Sequence, residues 1–141
     1  MKLHLPLAAL ALGVVLSANT CAEKSTGASA QVPGKWVLST LNGAPVQLPE
    51  GAERPYLTID SLGVNVTGFA GCNRVFGTMK VWGDSIAFPG LAATRMYCQE
   101  TQQVEDAFLD ALNKASTYSV KDERLVLLAG KEVAVLQRQA K

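Results

Sequence analysis

Two short segments hold most of the groups that could do chemistry in this chain of 141 residues. Residues 68–74 read Gly-Phe-Ala-Gly-Cys-Asn-Arg, and residues 94–98 read Thr-Arg-Met-Tyr-Cys. Paired cysteines can form a disulfide, a redox couple or part of a metal site, and arginine pairs with anions. Gly68 and Gly71 let the backbone turn sharply or approach another segment, because glycine accepts positive φ without steric cost. We therefore expect Cys72 to be held in a defined position after a turn.

The N-terminus indicates that the protein is exported. The first four residues form a short basic region, and the apolar run at 5–16 has the length of a secretory signal and is too short to span a bilayer stably. We predict a signal segment at 1–22, followed by a small, polar, flexible tether at 23–33. The expected location is the periplasm or the cell envelope.

Cys21 stands where a bacterial lipoprotein carries its acylated cysteine, so the mature protein could be anchored to the membrane through a lipid. Thr20 departs from the small residue that usually precedes that cysteine. Ordinary cleavage after Ala22 or Ala30 is the alternative, and the sequence leaves both open.

Export determines how the remaining cysteines are interpreted. Cys72 and Cys98 form an even pair in an oxidising compartment, where a structural disulfide is the default. Such a bond would stabilise the folded state by roughly 3 to 4 kcal/mol in the chain-entropy description. A redox or metal-binding pair is disfavoured, because the sequence has no C-x-x-C motif and the two cysteines lie on separate segments.

The composition disfavours enzymatic function and nucleic-acid binding. The only histidine is His4, in the signal segment, so the domain lacks the imidazole that triads and most zinc sites use. Asp60 and Asp84 could act as a carboxylate pair, but both adjoin turn residues, where aspartate usually caps the backbone. The net charge is +1, which suggests no nucleic-acid partner. We expect no cofactor, no metal and no enzymatic activity.

Two sets of residues are candidates for binding. Arg74 and Arg95, with Asn73 beside them, could form an anion-binding polar patch if a disulfide joins their segments. The alternative, which we favour, is that the arginines tie loops together and that Asn73 is a turn residue. The large apolar residues could line a lipid cavity or simply fill a core; they are Trp36, Phe69, Phe76, Met79, Trp82, Phe88 and Phe108.

Periodicity predicts one amphipathic helix at about 101–115, with Thr101 as its N-cap and Phe108 and Leu112 on its buried face. Glu105 and Asp106 lie near its positive end and are expected to be solvated surface. An Asp110 to Lys114 pair is expected on the exposed side. Short alternating runs separated by turns, including Asn42-Gly43, predict antiparallel strands rather than βαβ units; they lie at 36–41, 56–60, 64–67, 74–82, 85–88, 117–120, 124–128 and 132–136.

These motifs in this order resemble the META domain of HslJ-like envelope proteins. The resemblance rests on Lys-Trp-Val-Leu at 35–38, on Asn42-Gly43, on the two cysteine motifs, on the helix and on the terminal hairpin, and it covers about 34–138. It implies an α+β domain, a small cracked antiparallel β-barrel or curved sheets with one helix packed against them. The family is linked to stress response and secretion, often in lipoproteins, and similar folds act as lipid-binding pilotins.

The resulting hypothesis is an exported, non-enzymatic envelope protein that binds a hydrophobic ligand, a lipid or a protein segment in stress response or secretion. The alternative is a periplasmic inhibitor that presents a loop such as 91–96 to a protease or lysozyme. The partner would be an envelope protein or an apolar ligand, and the membrane would be reached only through a lipid anchor.

Overall fold

A computed structural model describes residues 31–140. The signal segment, Cys21 and most of the tether lie outside the described residues, so the predictions made for them stay predictions. The described residues form eleven strands and one helix. The helix, α1, is Gln102–Lys114; the strands are β1 Gly34–Leu41, β2 Ala44–Pro45, β3 Tyr56–Ile59, β4 Asn65–Phe69, β5 Arg74–Thr78, β6 Lys80–Trp82, β7 Ser85–Ala87, β8 Ala92–Ala93, β9 Thr117–Lys121, β10 Arg124–Leu128 and β11 Glu132–Arg138.

All strand pairs are antiparallel, and the strands form one sheet in the order β6-β7-β9-β10-β11-β1-β3-β4-β5-β8, with β2 paired to β1. Strand β6 is at one edge of this order, yet Met79 alone separates it from β5, which is next to the other edge. The sheet must therefore curl until its two ends approach each other. The Met79 N–H donates to the Val64 carbonyl at 2.7 Å and fixes this junction. The result is a curled half-barrel with one helix, which confirms the predicted α+β class.

The core fills the inside of the curl. Successive residues of a strand point to opposite faces, so Val66 and Gly68 of β4 and Val75 of β5 are buried while their neighbours face outward. Trp36 is fully buried and its indole Nε1 donates to the Val32 carbonyl at 2.7 Å. From the helix, Phe108 and Leu112 join the same cluster.

The residues predicted to line an apolar cavity lie in different environments, which corrects part of that prediction. Trp36, Met79, Phe88 and Phe108 are buried in one packed cluster, as a filled core would have them. Phe76 is 51 % exposed and cannot line an interior cavity. It follows the buried Val75 on β5, so strand alternation turns it outward.

Most elements follow the sequence pattern, but the short strands β2 and β8 were not predicted, and two predicted features differ from the structure. The predicted strand at 74–82 is divided at Met79 into β5 and β6, because the chain passes there from one end of the sheet to the other. Thr101 occupies the N-cap position of α1 but its side chain makes no capping hydrogen bond. The predicted Asn42-Gly43 turn is present, with φ of 48° and 80°, values that suit a tight hairpin between β1 and β2. Within the described residues no helix is long and apolar enough to cross a membrane.

Gly68 lies where the neighbouring strand leaves no room for a side chain. A Cβ added there would lie 2.2 Å from the carbonyl oxygen of Tyr56 and 3.2 Å from the Cα of Leu57. Both are backbone atoms of the paired strand β3, so neither can move aside without breaking the ladder. The pairing of β3 with β4 therefore requires a glycine at this position. The sequence analysis expected Gly68 to allow a sharp turn or a close approach, and the structure shows the close approach.

Gly68→Ala is predicted to destabilise the domain by at least about 2 kcal/mol, because the new methyl group overlaps backbone. Gly43→Ala is the matched control: its Cβ meets nothing within 4 Å, so only the left-handed backbone costs, by about 1 kcal/mol. Urea unfolding of both variants measures the difference. Equal losses of unfolding free energy would show that the steric argument at Gly68 is wrong.

Candidate functional site

The predicted disulfide is present between Cys72 and Cys98, with a Cα–Cα distance of 5.7 Å. Cys72 lies in the turn between β4 and β5, and Cys98 lies in the segment between β8 and α1. Gly71 precedes the bond with φ of +132°, in the region that favours glycine. The bond therefore joins the two motifs that the sequence singled out.

Glu105 is the residue on which this region is built, and its predicted surface position is wrong. Its side chain is buried, with 3 % exposed. One carboxylate oxygen, Oε2, accepts from the backbone N–H groups of Cys72 at 2.8 Å and Asn73 at 2.6 Å, and Oε1 accepts from Asn73 Nδ2 at 2.6 Å. A signal for this was available, because Glu105 is three residues before Phe108 and seven before Leu112, on the helix face that is buried.

Asn73, which is bonded to Glu105, also holds the segment before the helix through hydrogen bonds of its side chain. It is 2 % exposed, so it is not part of a surface polar patch. Its Oδ1 accepts from the Met96 N–H at 2.7 Å and the Thr94 hydroxyl at 2.9 Å, and its Nδ2 donates to the Met96 carbonyl at 2.9 Å. The side-chain amide thus pairs with Met96 as the backbone of a neighbouring strand would.

The two arginines have separate surroundings. Arg74 donates from Nη1 to the Tyr56 hydroxyl at 2.7 Å, and its guanidinium lies 5.5 Å from the centre of the Phe69 ring. Lys35 lies 4.0 Å over the Tyr56 ring on the same outer face. Arg74 therefore has a structural role, but it ties strands together through a hydroxyl and a ring, whereas the prediction was a link between loops through carbonyls or carboxylates. Arg95 is exposed, and no hydrogen bond or ion pair of its side chain is present within residues 31–140.

The segment 94–98, which we call the display loop, presents apolar side chains to solvent. Met96 is 61 % exposed and Tyr97 is 77 % exposed, although their backbone is tied to Asn73 and to the disulfide. The sequence analysis included Met96 in the loop 91–96 that an inhibitor would present, but it missed Tyr97 as a binding candidate. The sequence feature that could have identified both is a pair of adjacent apolar residues in a segment too short to form a strand or a helix.

An open groove of about 640 Å³ runs between the display loop and α1. Its apolar wall includes Leu91, Ala93 and Leu109, and its charged groups are Arg95 and Glu105. Glu105 is buried and bonded to the turn, whereas Arg95 is exposed, so Arg95 is the charged group of the groove that a ligand can reach. The groove is lined by Asn73, Leu91, Ala92, Ala93, Thr94, Arg95, Met96, Tyr97, Gln102, Glu105 and Leu109.

The two aspartates considered as an acid–base pair have other environments. Asp60 accepts from the N–H groups of Val64 at 2.8 Å and Asn65 at 3.2 Å, and from Asn65 Nδ2 at 2.7 Å, which confirms it as a turn cap. The Val64 N–H, followed by the Asn65 side chain, lowers the pKa of Asp60.

Burial raises the pKa of the Tyr118 phenol, and the charge of Asp84 adds to that rise. In the part of the chain that the structure describes, no group of three or more His, Cys, Asp or Glu is placed to hold a metal ion.

Comparison with known proteins gives a family and a fold. Residues 30–141 match the family model of the META domain. An NMR structure of a protein from Burkholderia xenovorans is 26% identical with a TM-score of 0.65, and the alignment covers 100% of both chains. A second NMR structure is 22% identical with a TM-score of 0.59, covering 74% of this chain and 88% of the other, and shows a similar fold. No curated protein matches the chain.

Glu105→Ala is predicted to destabilise the domain by roughly 3 kcal/mol, because it leaves the N–H groups of Cys72 and Asn73 and the Asn73 amide without their acceptor. Glu105→Gln should cost less, since it keeps one acceptor oxygen. Asp110→Ala on the same helix is the control: Asp110 forms an exposed pair with Lys114 at 2.7 Å, and its loss should cost no more than about 0.5 kcal/mol. Similar losses at both acids in chemical denaturation would contradict a structural role for Glu105.

The Asp60 cap predicts a pH-dependent stability. Its folded pKa is lowered, so its contribution is full above the unfolded pKa of about 3.9 and is lost as the pH falls through the folded value. Asp60→Asn should therefore destabilise the domain at pH 6 and matter progressively less below about pH 4. Urea midpoints of both proteins between pH 2 and pH 6 measure this. A difference that stays constant over the range would rule the linkage out.

Proposed function

The chain belongs to the META domain family, and on that premise we propose that it is an exported, non-enzymatic envelope protein that binds a hydrophobic segment of a partner protein through its display loop. The proposed setting is stress response or secretion. The observation that carries the proposal is the exposure of Met96 and Tyr97 on a loop whose backbone is held by Asn73 and by the Cys72–Cys98 bond.

Two features support an envelope location. The first sixteen residues have the composition of a secretory signal. The Cys72–Cys98 disulfide suits an oxidising compartment, since cytosolic thiols are kept reduced. Lipidation at Cys21 would attach the domain to a membrane and remains part of the proposal.

The bonding of the polar side chains supports a non-enzymatic role. Glu105 and Asn73 are buried, and their oxygens and nitrogens bond to the turn and to the display loop. Asp60 caps a turn, and Arg74 bonds to Tyr56. General acid–base catalysis needs a group that can reach and exchange a proton with a substrate, and these groups are engaged in holding the fold.

Exposed apolar side chains on a fixed backbone suit protein recognition. Methionine, tyrosine and arginine are enriched at interfaces, and Arg95, Met96 and Tyr97 stand together in the display loop. A loop already held in place loses less conformational entropy when it binds. The packed cluster around Trp36 and Phe108 favours a surface contact over a lipid held inside the curl.

The alternative, a periplasmic inhibitor of a hydrolase, uses the same surface. Arg95 is exposed between Thr94 and Met96, both tied to Asn73, in the manner of a rigid loop that could enter an active site. Under this alternative the partner would be a protease or lysozyme whose activity falls when the purified protein is added. Identification of the partner therefore separates the two functions.

A photo-crosslinking amino acid, benzoylphenylalanine, tests the surface in the cells that make the protein. Placed at Tyr97 it should give one discrete crosslinked partner, and Met96→Ser should reduce that product at least about fivefold, because a buried apolar contact is lost. The same crosslinker at Trp82, which is 58 % exposed on β6, is the matched control and should not give this product. An equal product from both positions, or a lipid retained in native mass spectrometry of the purified protein, would contradict the proposal.

A further inference from the structure

Strand β8 is an edge of the sheet. It is the last strand in the order and pairs only with β5, where Val75 is opposite Ala93 and Phe76 is opposite Ala92. An edge strand presents unpaired N–H and C=O groups, which are a template for another extended chain. The groove beside the display loop follows this edge.

The hydrogen bonds show which groups face β5. The Thr94 N–H donates to the Arg74 carbonyl at 3.0 Å, and the Met96 N–H and C=O pair with the Asn73 side chain. In an antiparallel ladder every second residue is bonded to a given partner, so Ala92, Thr94 and Met96 face β5.

The residues between them face the other way. The N–H and C=O groups of Leu91, Ala93 and Arg95 therefore point away from β5, along the free edge. These three residues are among those that line the groove. The Asn73 amide lengthens this edge beyond the two residues of β8, because it holds Met96 in the ladder after the chain of β5 has turned away.

We infer that this edge binds an extended peptide of the partner as an added β-strand, with apolar side chains over Leu91 and Ala93 and an acidic side chain beside Arg95. The inference rests on the proposed function and specifies its partner. Three outward peptide units supply the main-chain hydrogen bonds, and the groove accepts every second side chain of the peptide. The acid is placed there because Arg95 is the exposed charge of the groove, while the Glu105 carboxylate is buried against the turn.

The probe is the peptide acetyl-Asp-Thr-Val-Thr-Val-Thr-Asp-amide, which places an acid beside Arg95 in either strand direction. Bound to the isotope-labelled protein purified from the envelope, it should slow hydrogen exchange of the Ala93 amide at least about tenfold, as a new hydrogen bond does. The amides of Ala92 and Thr94, already directed at β5, should not change. The Val81 amide, on the other edge strand β6, should not change either.

N-methylation of the peptide removes its N–H donors and so tests the hydrogen bonds that the peptide donates to β8. The added strand is taken to be antiparallel to β8, as the strand pairs of this sheet are. Residues opposite Ala93 then share its face and direct their N–H groups at β8, so methyl groups on both valine nitrogens should weaken binding at least about tenfold. A methyl group on the central threonine nitrogen, which faces solvent, should leave the affinity within about threefold. Arg95→Gln should weaken the aspartate peptide severalfold more than its asparagine counterpart.

The outcomes separate this inference from the proposed function. Absent binding, protection at Val81 instead of Ala93, or equal affinity of the two N-methylated peptides would overturn strand addition. If the Tyr97 crosslink persists in that case, the display loop still binds its partner by another mode. Protection of Ala93 that rises with protein concentration in the absence of peptide would make a second copy of the chain the occupant and would also overturn the inference.

Discussion

The buried carboxylate of Glu105 is the interaction on which the rest of this region depends. A carboxylate taken out of water is costly unless hydrogen bonds replace the solvent, and here the N–H groups of Cys72 and Asn73 and the Asn73 amide do so. These contacts join residues more than thirty positions apart and attach α1 to the turn between β4 and β5. The orientation of Asn73 follows from this bond, and the position of the display loop follows from Asn73.

This chain of contacts explains why apolar side chains can stand in solvent without the loop collapsing onto the surface. The disulfide and the Asn73 amide hold the backbone at both ends of the Met96–Cys98 stretch. Exposed Met96 and Tyr97 then cost solvation free energy that a partner could recover by covering them. The same amide keeps the β8 edge in register, so the loop and the edge form one surface.

A second cluster, at the other end of the sheet's central strands, anchors the start of the domain. The Arg138 guanidinium lies 4.2 Å over the ring of Trp36, donates to the Pro33 carbonyl at 2.8 Å and pairs with Glu123 at 2.7 Å. Gly34 makes room for it, since a Cβ there would lie 2.7 Å from Arg138 Nη1. The beginning and the end of the described chain are thus held against each other.

The amphipathic period of α1, the alternation of the strands, the turn at Asn42-Gly43 and the pairing of Cys72 with Cys98 could all be derived from the sequence, because each depends on neighbours in the chain or on the compartment. The interior position of Glu105 and the outward position of Phe76 could not, although both obey the helical and strand periods once the facing element is known. Residue type favoured solvent for the acid and burial for the aromatic ring. Only the tertiary structure placed a turn with unpaired N–H groups opposite Glu105, and only the curl of the sheet left β8 as an edge, because these are properties of contacts between segments distant in sequence.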